Sequence, residues 1–165
     1  MKRRWKTLAA SFAGISLIAT SMWIDPPPRL LWNASPSVPI GFYWVRSGEH
    51  LASGDLAVVA PPQHIARYLD EGGYLPLGVP LLKPVAALPG QVVCRIGDMI
   101  LIDGLIVGAA RASDRHGRTL PRWQGCRTLG PDQLFFMNPE REDSLDGRYF
   151  GPLPAASVIG LATPL

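Results

Sequence analysis

Short apolar runs separated by glycine- and proline-rich stretches follow one long apolar segment near the beginning of the chain. The long segment, residues 7–24, holds no charged side chain and is just long enough for a membrane-spanning helix. The later runs have the length of β-strands and occupy residues 40–45, 55–60, 81–88, 91–96, 99–102, 105–108 and 133–137. The pattern predicts an N-terminal transmembrane helix and a mainly β domain with a coiled or barrel-like sheet.

Turn-forming residues indicate where the predicted elements end. Asp103 and Gly104 separate two apolar runs, and an Asp-Gly pair is typical of the type I′ turn in a two-residue hairpin. Residues 61–80 and 109–131 are rich in Pro, Gly and Arg and are interpreted as loops. Residues 26–28 are three prolines, which end the helix and form a short, stiff spacer.

These patterns divide the chain into a basic tail (1–6), a transmembrane anchor (7–24), a proline-rich spacer (25–32) and a globular domain (33–165). The positive-inside rule predicts that the basic tail stays in the cytoplasm and that the domain is exported. A cleaved signal peptide, with Ala19 and Ser21 as the small residues before the cut, is an alternative to the anchor, and a buried core helix is another. Anchor and signal peptide both place the domain outside the cytoplasm.

Composition and charge exclude several classes of protein. The 165 residues include 17 Gly and 17 Pro, which argues against a helical bundle, and 47% hydrophobic content argues against disorder. The net charge of +3 does not indicate a nucleic-acid partner, because four of the 16 basic residues lie within residues 2–6. The remainder carries 12 basic and 13 acidic side chains and no basic patch.

The predicted export of the domain affects the interpretation of the two cysteines, Cys94 and Cys126. Their spacing matches no CxxC or Cys/His metal cluster, and two cysteines in an oxidising compartment can form a disulfide. Pairing of Cys94 with Cys126 is therefore a hypothesis, and we expect neither a metal nor a cofactor.

Familiar catalytic motifs are absent, since the sequence contains no GxSxG, HExxH, Walker A or GxGxxG pattern. Lys83 lies in an apolar run, where it is either a surface lysine with its ammonium in water or a buried amine whose pKa is lowered. Ser37 lies between Pro36 and Pro39 in what is otherwise an ordinary loop. A serine needs a positioned base to become a nucleophile, and a lysine is an established base for it.

In this order the segments resemble the type I signal peptidase family of Ser–Lys membrane proteases, and most closely its conjugal-transfer branch, the TraF peptidases that mature pilin precursors. Residues 37–43 resemble the nucleophile box, and residues 54–59 resemble the strand box that follows it. Lys83 with the Leu-Pro-Gly of residues 88–90 resembles the general-base box. Residues 143–148 resemble the carboxy-terminal box, so the resemblance runs from about residue 33 to the end.

The resemblance implies a role for each matching position. Ser37 would be the acylating nucleophile and Lys83 its general base. The oxyanion donors would be the Ser37 backbone N–H and the Ser35 hydroxyl. The supporting residues would be Ser144, which orients the lysine amine, and an ion pair between Asp146 and Arg148.

Three places depart from the pattern of the general secretory peptidases and fit the conjugal branch better. Val38 stands where those enzymes have Met, residues 138–140 replace their Gly-Asp-Asn, and Gly147 replaces a Ser.

The implied function is cleavage of the leader or propeptide of exported pilin precursors by an enzyme of the bacterial inner membrane, with its tail in the cytoplasm and its catalytic domain in the periplasm. Its partners would be the pilin-precursor polypeptide, the lipid bilayer and components of the conjugative pilus assembly, but no nucleic acid. The acyl-enzyme would react either with water or with an amine of the pilin, which gives a cyclic product. The alternatives are a general signal peptidase I and a non-catalytic anchored β-domain of a pilus assembly machine.

Overall fold

A helix at the beginning of the chain and a β domain after it make up the protein. The structure is a computed structural model that describes residues 2–21, 29–48 and 50–165. The helices of these residues are α1 (Lys2–Ser21), α2 (Gln63–Glu71) and α3 (Gly147–Phe150). The strands of the same residues are β1 (Leu30–Asn33), β2 (Gly41–Arg46), β3 (Leu56–Val59), β4 (Leu81–Ala87), β5 (Val92–Ile96), β6 (Met99–Ile102), β7 (Leu105–Ala109), β8 (Gly125–Thr128), β9 (Gln133–Phe136), β10 (Leu153–Pro154) and β11 (Val158–Pro164). The prediction of a mainly β protein is confirmed.

Helix α1 begins five residues before the predicted anchor and does not belong to the hydrophobic core. Its large apolar side chains, among them Trp5, Phe12 and Leu17, are about three-quarters exposed, so a buried core helix is wrong. No helix in the described ranges is long and apolar enough to cross a membrane. Residues 22–28, which include the predicted end of the anchor and the three prolines, lie outside the described residues.

The larger sheet carries the candidate site. In the described part of the chain it has seven strands in the order β1-β2-β11-β3-β4-β9-β10, with β1 and β10 at its two edges. Strand β11 pairs antiparallel with both β2 and β3, although it comes last in the sequence. Strand β4 pairs with β3 and places Lys83 opposite Ala57.

Apolar residues on both faces of these strands form the core. Ala57, Val59, Leu81 and Val85 pack against α2 and β9, while Leu82, on the opposite face of β4 from Leu81, lies in a second cluster with residues of β2 and β11. Alternate side chains point to opposite faces of a strand, and β4 is buried on both sides. Lys83 therefore lies on a strand with little access to water.

The smaller sheet, with the order β7-β6-β5-β8 over the described residues, packs against β4 and β9. Asp103 and Gly104 both have positive φ angles, 49° and 81°, and connect β6 to β7. The predicted two-residue hairpin is thus present, because a type I′ turn requires positive φ at both central positions. Cys94 and Cys126 lie directly opposite each other on β5 and β8 and form a disulfide.

Several segments differ from the expectations, among them β11, which no predicted apolar run covers. The larger sheet begins at Leu30, so residues 30–32 belong to the domain and not to the spacer. Residues 63–71, expected as loop, form α2, whose single apolar stripe consists of Ile65 and Leu69. Residues 125–128, also expected as loop, form β8, which is exposed along its whole length and is held by backbone pairing with β5. A sequence pattern cannot reveal a strand that buries no side chain.

Candidate active site

The loop that carries Ser37 connects β1 to β2 and is organised by Asn33. The buried Asn33 side chain donates to the carbonyl oxygens of Ser35 at 2.8 Å, Val38 at 3.1 Å and Pro39 at 3.0 Å. Its Oδ1 accepts the Ser35 N–H at 3.1 Å. One side chain therefore bonds the loop on both sides of Ser37, which holds the serine in one backbone geometry.

The residues next to Ser37 fix it from two more directions. Val38 is buried in the apolar cluster that also contains Leu82, the residue before Lys83. The hydroxyls of Ser35 and Ser37 lie 2.9 Å apart and share a hydrogen bond. The serine expected as nucleophile and the serine expected to bind the oxyanion are thus side by side.

Lys83 is buried, with only 4% of its surface exposed. Its Nζ donates a hydrogen bond of 2.7 Å to the hydroxyl oxygen of Ser144, as the resemblance implied. Burial lowers the pKa of Lys83 from 10.5 to about 8, and the charge of Arg148 adds to this, whereas the carboxylates of Asp146 and Asp143 oppose it. About one amine in ten is therefore neutral at pH 7, and the neutral form is the one that a general base requires.

Asp146 and Arg148 form a buried ion pair beside Ser144. Arg148 donates from Nε to Asp146 Oδ1 at 2.9 Å and from a terminal nitrogen to Oδ2 at 2.8 Å. Asp146 is also the N-cap of α3, since it accepts the Arg148 N–H at 3.1 Å. A two-bond pair of this kind has a defined geometry, so it fixes the segment that carries Ser144.

Gly147 lies between the two charged residues, where there is no room for a side chain. A Cβ there would lie 2.7 Å from the carbonyl oxygen of Phe136 and 2.6 Å from the ring of Phe135. The departure from Ser at this position is therefore required by close packing of α3 against β9.

Asn138 connects the Ser37 loop to this ion pair. Its Nδ2 donates to the carbonyl oxygen of Ser37 at 2.6 Å, its backbone N–H donates to Asp146 Oδ2 at 3.1 Å, and its carbonyl oxygen accepts from Arg148 at 3.1 Å.

Ser35, Ser37, Lys83 and Ser144 all line one cleft of about 880 Å³. Its walls include the apolar side chains of Leu31, Leu69, Leu75, Val79, Leu81, Leu82, Leu120 and Leu145. Asp114 also lines the cleft, where it accepts hydrogen bonds from the Tyr74 hydroxyl at 2.5 Å and from Arg118 Nε at 2.7 Å. Ser37 and Lys83 are not hydrogen-bonded to each other in this structure; the Ser37 hydroxyl bonds Ser35, and the Lys83 amine bonds Ser144. Catalytic hydrogen bonds often tighten only when substrate binds.

Another buried basic residue, Arg95, links the smaller sheet to α3. It is 1% exposed and donates to the carbonyl oxygen of Arg148 at 2.7 Å. In the described ranges no group of three or more His, Cys, Asp or Glu side chains could hold a metal ion.

No motif of the sequence predicts a role for Asn33, Asn138 or Arg95. Asn33 and Asn138 each stand at the start of a proline-containing turn, and asparagine is favoured there because its side chain bonds the backbone two residues on. No such signal identifies Arg95, because the alternating pattern of β5 puts it on the face opposite to three apolar residues, and its burial is visible only in the structure.

Comparison with known proteins agrees with the resemblance. The family model described as signal peptidase, peptidase S26, matches residues 2–165. The conjugal transfer protein TraF of Agrobacterium fabrum (strain C58 / ATCC 33970) is 38% identical in an alignment of length 145 that covers 81% of this chain and 80% of that protein. The probable conjugal transfer protein TraF of Sinorhizobium fredii (strain NBRC 101917 / NGR234) is 35% identical in an alignment of length 173 that covers 98% of this chain and 90% of that protein.

More distant matches are also found. The plasmid transfer protein TraF of Escherichia coli is 31% identical in an alignment of length 144 that covers 81% of this chain and 80% of that protein. A crystal structure of a signal peptidase I from Enterococcus faecalis V583 superimposes with a TM-score of 0.42 at 20% identity and covers 70% of this chain and 98% of that one. On the strength of the family model and the TraF relatives, the chain belongs to the signal peptidase family, peptidase S26.

Proposed function

We propose that the protein is a serine endopeptidase that uses Ser37 as nucleophile and Lys83 as general base to cleave the leader or propeptide from exported pilin precursors during conjugative transfer. The observation that carries the proposal is the buried Lys83 amine, with its lowered pKa, in the cleft that Ser37 also lines. A surface lysine with an ordinary pKa would not act as a base at neutral pH.

The direction of the Lys83 hydrogen bond suits this role. Ser144 accepts one N–H of the amine, which holds Nζ in place and leaves the lone pair of the neutral form free. That lone pair takes the Ser37 hydroxyl proton as Oγ attacks the scissile carbonyl carbon. The resulting lysine ammonium then protonates the leaving amine, so that an acyl-enzyme on Ser37 remains.

The oxyanion of the tetrahedral intermediate is bound at the Ser37 loop. The Ser37 backbone N–H has no hydrogen-bond acceptor among the described residues and is free to donate. The Ser35 hydroxyl turns from Ser37 Oγ to the oxyanion as the second donor. Loss of one such donor typically costs about 3–4 kcal/mol of transition-state stabilisation.

The pilin precursor as substrate rests on the conjugal transfer names of the relatives. In this proposal residues 7–24 anchor the enzyme in the inner membrane, with the basic tail in the cytoplasm and the catalytic domain in the periplasm. The acyl-enzyme is attacked either by water or by an amine of the pilin.

The test is the intact mass of a pilin precursor co-expressed with wild-type protein, with Ser37→Ala, with Lys83→Ala, and with Ser53→Ala as a matched control in an exposed turn. We expect shortened pilin only with the wild type and the control. A shortened product that lacks one further water mass identifies cyclisation. Cleavage that persists with Lys83→Ala overturns the dyad, and an intact precursor with wild-type protein overturns the proposed substrate.

A further inference from the structure

The Ser37 loop and Lys83 belong to parts of the larger sheet that are not neighbours. The loop follows β1 and leads into β2, whereas Lys83 lies on β4, with β11 and β3 between them. Adjacent strands are about 4.8 Å apart, so three steps separate β2 from β4 by about 14 Å. The sheet alone does not bring the serine to the lysine, and a contact that bypasses the two intervening strands is needed.

Asn138 supplies such a contact. It follows β9 directly, and the residue before it, Met137, donates its backbone N–H to the carbonyl oxygen of Pro84 at 3.1 Å, one residue from Lys83. From this position the Asn138 Nδ2 reaches the Ser37 carbonyl oxygen at 2.6 Å. Among the hydrogen bonds of the described residues, this is the one that joins the Ser37 loop to the β4–β9 strand pair.

The Asn138 side chain is held in a single orientation. It is 6% exposed, and its Oδ1 accepts the Glu140 N–H at 2.9 Å, which leaves Nδ2 facing Ser37. Its backbone N–H and carbonyl are both bonded to the Asp146–Arg148 pair. Every polar group of the residue is therefore satisfied, and the link to Ser37 is rigid.

We propose that Asn138 is a positioning residue that fixes the nucleophile loop against the strand of the general base. The inference rests on the proposed Ser37–Lys83 peptidase. Asn138 touches neither substrate nor the reacting atoms, and it acts through the backbone of Ser37. The reaction needs Ser37 Oγ within hydrogen-bond reach of Lys83 Nζ, and a misplacement of about 1 Å lowers the rate by about a hundredfold.

Two variants separate positioning from folding. In Asn138→Ser the shorter side chain still accepts the Glu140 N–H, as serine does in turns, but is too short to reach Ser37. In Asn138→Ala both side-chain bonds are lost. The two variants thus differ in the turn bond and share the loss of the link to Ser37.

The assay uses a fluorogenic peptide that spans the cleavage site of the precursor, with kcat, KM and thermal midpoint measured for full-length protein. We expect both variants to lower kcat by about tenfold to a hundredfold, with KM changed by less than about threefold. The acid limb of the pH–rate profile should stay where it is in the wild type, because Lys83 keeps its contact with Ser144.

Each contrary outcome has a distinct meaning. Wild-type kcat in Asn138→Ser, or a loss confined to Asn138→Ala, overturns the positioning role, because the turn bond then accounts for the effect. An acid limb displaced in both variants also overturns it, since the residue would then act on the base. Wild-type protein that fails to cleave, or cleavage independent of Ser37 and Lys83, refutes the proposed function instead.

Discussion

The pH dependence of cleavage is the most direct test of the buried lysine. In the proposed mechanism only the neutral amine of Lys83 accepts the Ser37 proton, so kcat/KM should rise with pH and level off above the pKa of Lys83, which burial lowers from 10.5 to about 8. Below that pKa the rate should fall tenfold for each pH unit, because the fraction of neutral amine falls by the same factor.

The size of the effect follows from the two pKa values. At pH 7 a group with a pKa of about 8 is neutral in about one molecule in ten, whereas a pKa of 10.5 leaves it neutral in about one in three thousand. Burial in β4 thus raises the neutral fraction by about 300-fold, which corresponds to about 3 kcal/mol. An exposed lysine at the same position would leave the enzyme almost inactive at neutral pH.

The assay is kcat/KM for the fluorogenic peptide between pH 6 and 10, with two variants beside the wild type. His116→Ala removes a titratable residue that also lines the cleft and should leave the profile unchanged. Asp143→Asn removes a carboxylate that raises the pKa of Lys83, so its acid limb should move to lower pH and its activity at pH 7 should increase. A flat profile, or an acid limb that disappears with His116, would refute the assignment of Lys83 as base.

Three further predictions concern stability. Lys83→Met should raise the free energy of unfolding at pH 7 by about 1–3 kcal/mol, because the lysine binds a proton more tightly in the unfolded chain than in the folded protein. This difference in proton binding destabilises the folded protein fully below the folded-state pKa of about 8 and disappears as the pH rises toward 10.5, so chemical denaturation should show that the gain of the variant disappears over the same range. Asp146→Asn leaves the charge of Arg148 buried without its partner, so the free energy of unfolding should fall by about 3–5 kcal/mol in the same experiment. An unchanged free energy of unfolding would mean that the ion pair is not needed for stability. Reduction of the Cys94–Cys126 disulfide, which closes a separation of 32 residues, should lower the free energy of unfolding by about 2–4 kcal/mol, and an unchanged denaturation midpoint under reductant would show that β8 is held by its backbone alone.

Strands with an uninterrupted apolar pattern could be predicted from the sequence, whereas the central strand β11 could not. Gly160 interrupts the apolar pattern of β11, and in the sequence such a glycine indicates a loop. In the structure a Cβ at this position would lie 2.5 Å from the carbonyl oxygen of Arg46. The glycine is needed because two strands approach closely, and that approach is visible only in three dimensions.

The candidate site also has residues that could be predicted from the sequence and contacts that could not. Ser37, Lys83 and the ion pair of Asp146 with Arg148 were identified by motif resemblance. The Asn138–Ser37 hydrogen bond joins residues 101 positions apart, and no local pattern encodes such a contact. Long-range polar contacts of this kind depend on the register of several strands at once.

The position of β11 has a consequence for when the larger sheet is completed. Residues 158–164 fill the gap between β2 and β3, so the strands next to the Ser37 loop are connected by strand pairing to the strand that carries Lys83 only after these residues have been made. Pairings between such distant segments form slowly, because the chain must close a large loop first. A chain in which residues 158–164 are not yet in place therefore lacks the strand that connects the Ser37 half of the larger sheet to the Lys83 half.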